Sequence, residues 1–197
     1  MISKDQDHII WDAFRQGNHE ALELIYGDNY LSLKHYAVKF KIDESFADDL
    51  IQELFMDLIE SGSKLSHTTN IRFYLLGALR KKIYNLQSKK SFKKFTHIES
   101  EFSIASSIED ELIKKEVEEH HRKYILTSIQ KLSIKQQEII YLRFYNNLSY
   151  KEIAQIFNTK TQTVQNLMGR AIRSLKEDFD NKKIEKGIVL LVLKLKI

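Results

Sequence analysis

Residues 149–177, SYKEIAQIFNTKTQTVQNLMGRAIRSLKE, carry two stretches of helical apolar periodicity with a short polar break between them. Ser149 and Glu152 have capping-box spacing, so a helix can start there. Ile153, Ala154, Ile156 and Phe157 give it one apolar face. Asn158 follows, a residue that tolerates the left-handed backbone of a sharp turn. Thr159 with Gln162 offers a second capping box, and Thr161 is a rival cap. Val164, Leu167, Met168, Ala171, Ile172 and Leu175 then line the buried side of a second helix. Small Ala154 permits close approach, with Val164 packed against it. The pattern is that of a helix-turn-helix, whose second helix lies in a DNA major groove.

The rest of the chain is compatible with helices throughout. It has no proline and only 6 glycines in 197 residues, so few strands or tight turns are signalled. Without cysteine, disulfides and thiolate metal sites are excluded. The start, MISKDQDHIIWD, lacks the apolar core of a signal peptide. The longest apolar run, 188–193, is far shorter than the ~20 residues that cross a bilayer. These features suit a cytoplasmic protein.

Net charge is +4, but it is distributed in blocks. Residues 1–60 are net −8, and residues 61–98 hold 9 basic groups and no acid. Residues 99–119 are net −6, and residues 120–197 are net +9. Two basic blocks around an acidic one predict two nucleic-acid-facing surfaces joined by a linker. The expected fold class is all-α: two helical domains joined by a flexible acidic linker, the second with the helix-turn-helix.

In the first domain, residues 1–90, apolar stripes predict a helical bundle. They are Ile9, Ile10, Ala13 and Phe14, then Ala21, Leu22, Leu24 and Ile25 after a cap at Asn18. A third runs Tyr30, Leu33, Tyr36, Ala37 and Phe40. A fourth spans Ala47 to Ile59, and a fifth Ile71 to Leu86. Residues 91–111, rich in Ser and acid, read as the linker. Residues 112–180 form the second domain, in which Ser133 and Gln136 have capping-box spacing. Residues 181–197 are a basic-hydrophobic tail, expected to pack on the second domain.

Three surfaces carry the expected chemistry. Asp49, Gln52, Glu53, Asp57 and Glu60 lie on the outer side of the fourth helix, an acidic ridge suited to a basic protein partner. Arg80, Lys81, Lys82, Lys89, Lys90, Lys93 and Lys94 can neutralise phosphates. Tyr84, Phe92 and Phe95 are interleaved with them, as suits unpaired bases that stack on aromatic rings. Gln162, Gln165, Asn166, Arg170, Arg173 and Lys176 share the outer face of the last helix, and Gln and Asn pair bidentately with adenine. An A-rich recognised element is therefore expected. No catalytic site is expected: there is no Gly-rich phosphate loop or nucleophile motif, and adjacent His120 and His121 point apart on a helix.

Together these segments resemble the sigma factors of the extracytoplasmic-function group, within the sigma-seventy superfamily. Gly17-Asn18-x-x-Ala21-Leu22 is similar to the opening of that family's first conserved region. Asp48-Asp49-Leu50-x-Gln52-Glu53-x-Phe55 resembles the helix that docks on the β′ coiled coil of RNA polymerase. Residues 71–90 resemble the helix and basic end that recognise and open the −10 element, and residues 132–177 the domain that reads −35. The resemblance implies polymerase docking through Asp48, Asp49, Gln52, Glu53 and Asp57. It implies −10 contacts from Arg80, Lys81, Lys82, Tyr84, Asn85, Lys89 and Lys90. It implies −35 contacts from Thr161, Gln162, Thr163, Gln165, Asn166, Arg170 and Arg173. The implied partners are core RNA polymerase (β′ coiled coil and β subunit), promoter DNA and an anti-sigma factor, with no cofactor, metal or small-molecule substrate.

Some positions depart from the family. Lys81 and Asn85 stand where Asn and Asp are common, and Asn158 where Gly is frequent. Gln165 and Leu167 replace Lys and Arg, which should weaken attraction to the DNA backbone. Two rival readings are a helix-turn-helix regulator that acts without polymerase, and a metal- or nucleotide-dependent enzyme. The first leaves the acidic ridge and basic-aromatic segment without a role, and the second lacks an assembled site.

Overall fold

In a computed structural model, the chain divides into two compact units, Met1–Ser100 and Glu101–Ile197. The structure describes residues 6–88, 102–114 and 119–181, which are helical and without strands. The tail at 182–197, most of the linker, and Lys89, Lys90, Phe92, Lys93, Lys94 and Phe95 lie outside the described residues.

The first unit holds α1 (Asp7–Arg15), α2 (His19–Val38), α3 (Glu44–Ser61), a 3₁₀ turn (Gly62–Lys64) and α4 (Ile71–Ser88). Gly17, at φ +89°, turns the chain between α1 and α2. The Asn18 side chain caps α2 by accepting from the Ala21 amide at 2.8 Å. The second and third expected helices are one: α2 runs through Gly27 without a break. Asn29 is buried within this continuous helix and donates back to the Ile25 carbonyl at 2.9 Å. Asp43 caps α3 through the Phe46 amide, and Gly62, at φ +45°, ends it.

The core-facing stripe of α1 also differs from expectation. Trp11 and Phe14 are buried, whereas Ile9 is exposed. Trp11 is fully enclosed, tilted against Tyr74, and its Nε1 donates to the Ser66 carbonyl at 2.8 Å. It thus holds the loop before α4. Two carboxamide or carboxylate groups satisfy the first amides of α4. Asn70 Oδ1 accepts from Phe73, and buried Asp7 accepts from Ile71 at 2.9 Å. Leu33, Tyr36, Phe40, Ile51, Leu75, Leu76 and Leu79 fill the core.

The second unit holds α5 (Ala105–Lys114), α6 (Glu119–Gln130), α7 (Ile134–Phe144), α8 (Tyr150–Ile156) and α9 (Thr161–Asn181). Helix α5 corrects the expected linker boundary, because residues 105–111 are helical. Ser and acid dominate the composition there but alternate with a core-facing set: Phe102, Ile104 and Ile108 are buried. Gln137 fastens this segment, accepting from the Ile104 amide and donating to the Leu132 carbonyl. Phe102 meets Tyr141 edge to face at 5.8 Å, and burial pushes the Tyr141 hydroxyl up to about 12.

Candidate nucleic-acid interface

The expected turn is present. Ser149 and Glu152 make both halves of a capping box, as do Ser133 and Gln136 on α7. Asn158 adopts φ +49°, the left-handed conformation anticipated from its side chain. The expected box at Thr159 does not start α9. That helix begins at Thr161, and the Lys160 carbonyl accepts from the Thr163 and Val164 amides. Gln162 instead turns forward, its Nε2 donating to Asn166 Oδ1 at 3.0 Å.

Val164, Met168, Ala171, Leu175 and Phe179 bury the inner side of α9, against Ile153 and Ala154 of α8 among others. Gln162, Thr163, Gln165, Asn166, Arg170 and Arg173 are exposed, and Thr161 is half-buried. Gly169 is exposed too, with open space where a Cβ would sit. Arg143 supports the turn from α7, a role no sequence motif announces. Its guanidinium donates to the Leu148 carbonyl at 2.9 Å and lies 5.0 Å from the Tyr150 ring.

In the first unit, the acidic ridge of α3 lies next to the basic helix α4. Asp49, Gln52, Glu53 and Asp57 are exposed. Met56 and Ile59 stand among them at 55% and 46% exposure, so the ridge has apolar contact points that the stripe pattern assigned to the core or passed over. Asp48 is different, being half-buried. It accepts from the Tyr30 hydroxyl at 2.7 Å and Lys34 Nζ at 3.0 Å, and both bonds hold its carboxyl below the usual carboxylate range. The same bonds raise Lys34 and Tyr30. Asp48 therefore fastens α3 to α2 while its neighbours face outward.

Lys82 is likewise engaged. Its Nζ lies 3.0 Å from Glu53 and 2.9 Å from Asp57. Burial pulls its pKa down, and the two carboxylates more than offset that. One expected phosphate contact is thus joined to two expected docking residues. Lys81 and Asn85 are exposed one turn apart on α4. Arg80 covers one face of Tyr84 at 4.3 Å, while the ring meets Phe40 edge-on at 5.8 Å. A base reaching this place meets the guanidinium before the phenol ring.

Among the described residues, no group of three His, Asp or Glu is arranged to hold a metal ion, and exposed His120 and half-buried His121 have ring centres 6.2 Å apart. No described helix is long and apolar enough to cross a membrane.

Residues 122–175, from α6 into α9, match the family model described as Sigma-70, region 4. No curated protein sequence matches the chain significantly. Among solved structures, the chain is similar to CnrH, determined with the cytosolic domain of CnrY. The TM-score is 0.61 at 19% identity, over 90% of this chain and 99% of that one. It is also similar to the sigma factor RpoE of Bartonella quintana, determined with the anti-sigma factor NepR. That match has a TM-score of 0.51 at 18% identity, over 82% of this chain and 95% of the other. The helix-turn-helix accounts for the first match and the helices of both units for the others: residues 122–175 are similar to Sigma-70 region 4, and the chain has the fold of the CnrH and RpoE structures.

Proposed function

We propose that this protein is a sigma factor that binds core RNA polymerase and directs promoter-specific initiation of transcription. The observation that carries this reading is the pairing of an exposed acidic ridge on α3 with a basic helix, α4, in the same unit. A regulator of closed duplex DNA needs neither. The ridge formed by Asp49, Gln52, Glu53 and Met56 docks on polymerase, with Asp48 fixing its angle to α2. Lys81, Arg80, Tyr84 and Asn85 meet the −10 element as it melts, and Lys89 and Lys90, next in sequence, add two cations for its phosphates. Helix α9 reads −35 as duplex through Thr161, Gln162, Thr163, Gln165 and Asn166, while Arg170 and Arg173 meet phosphates. The assignment of residues 1–90 to docking and −10 recognition, and of the second unit to −35, rests on the same surfaces.

The protein acts by binding rather than catalysis, in the cytoplasm, where polymerase and DNA are. The RpoE structure contains an anti-sigma factor, and a comparable protein is the expected inhibitor here. Transcription in vitro with core polymerase and a promoter library tests the reading. Selective transcripts that vanish on Asp49→Ala with Glu53→Ala are expected. Duplex binding without polymerase association would instead establish a free-standing regulator.

A further inference from the structure

Helix α9 opens with two amide side chains tied together. Gln162 Nε2 donates to Asn166 Oδ1 at 3.0 Å, and both residues are exposed. They are one turn apart, so Asn166 lies behind Gln162 with respect to the helix start. Gln162 is the second residue of the helix, where a recognition helix meets base edges. An amide has two N–H donors and one carbonyl acceptor. With one N–H given to Asn166, Gln162 retains one N–H and Oε1. That is the donor and acceptor pair that adenine N7 and N6–H2 require in the major groove. Guanine would set its O6 against Oε1, and cytosine offers no acceptor there.

We propose that Gln162 reads an adenine in the −35 element, and that Asn166 is a positioning residue acting through Gln162 rather than on a base of its own. The inference rests on α9 being the major-groove helix of the proposed function. The hydrogen bond holds a side chain with three rotatable bonds near its bound geometry before DNA arrives, which lowers the entropy lost on binding. An amide pair at this spacing also steadies an isolated helix slightly, but that role carries no base preference.

The test uses the full chain with core polymerase on promoters randomised across −35. Gln162→Ala and Asn166→Ala are each expected to flatten the preference at the same base pair, by about tenfold. Replacing that adenine with 7-deazaadenine, which lacks the N7 acceptor, should cost the wild type a similar factor and cost either variant nothing further. Asn166→Asp keeps the acceptor. It should keep the adenine preference while phosphate repulsion lowers affinity for all sequences alike. The proposal is overturned if the two alanine variants change different base pairs, if the preference survives Gln162→Ala, if Asn166→Asp abolishes it, or if the variants lower only stability and overall affinity. Wild-type transcription with a −35 preference that Gln162→Ala leaves intact refutes this inference alone. A wild type without any −35 preference refutes the groove assignment of α9 as well.

Discussion

The charged faces of the two units are organised differently. In the first unit the carboxylates of α3 pair with amines of its neighbours: Glu53 and Asp57 with Lys82 of α4, and Glu44 and Asp48 with Lys34 of α2. On α9, Arg170 and Arg173 are exposed and carry no ion pair among the described residues. Charge in the first unit partly serves its own architecture, fixing how the ridge and the basic helix lie together. Charge on the outer face of α9 is left for a partner. Counting cations per segment therefore misjudges where phosphates bind, because a lysine can be used internally.

The strongest challenge to this contrast is to unfold one side of it. Trp11→Ala removes a fully enclosed ring and should cost the first unit about 3–5 kcal/mol. Denaturant titration is expected to show that loss, with polymerase binding impaired and −35 duplex binding by the second unit kept. Parallel loss of both activities would mean that the units do not fold separately. A second test removes the outward charges. Arg170→Ala with Arg173→Ala should lower the slope of log affinity against log salt by about 2, one phosphate each, for −35 duplex binding. From roughly 50 to 200 mM salt, the variant then loses about tenfold less affinity than the wild type.

Ser149→Ala probes the frame rather than the surface. It removes one half of a capping box and should destabilise the second unit by about 1 kcal/mol in thermal unfolding, without altering the salt slope. Lys82→Ala sharpens the contrast most directly, although its effect is smaller. Its partners are about two-thirds exposed, so solvent screening limits the loss to about 1 kcal/mol or less. The salt slope should stay unchanged, whereas Lys81→Ala should lower it by about 1. A slope change on Lys82→Ala would show that DNA draws this lysine away from the ridge. The least effect is expected from acid. Asp48 titrates below 3.8 in the folded chain, so its contribution is present above that pH and fades as pH falls through the lowered value. Asp48→Asn should remove that part of the acid unfolding curve.

Local signals are legible in the sequence where a cap or turn residue stands directly beside the apolar stripe it bounds. Asn18, Ser133 and Ser149 cap helices at their expected places, and Asn158 turns the chain. Legibility failed where composition and periodicity disagreed. The serines and acids of 102–111 obscure Phe102, Ile104 and Ile108, of which the first two enter the core from the segment before α5 and the third from its inner side. The stripes before and after Gly27 read as two helices, but the backbone stays helical through it, and buried Asn29 donates back to the Ile25 carbonyl across that stretch. In the site, the outward residues of α9 were legible from the buried stripe opposite them. The pairing of Lys82 was not, since it depends on two helices 29 residues apart in sequence lying side by side.

Asp7 has a consequence for the order of assembly. Its carboxylate accepts the first amide of α4 from 64 residues away. During synthesis, α1 is in place long before the helix it completes, and it holds a carboxylate whose partner has not yet been made. The basic helix is made last of the four, and the unit closes only when its first turn meets the carboxylate that α1 supplies. Damage to α1 should therefore be felt first at the start of α4, more than two turns before Lys81, and reach the DNA-facing end only through the shared core.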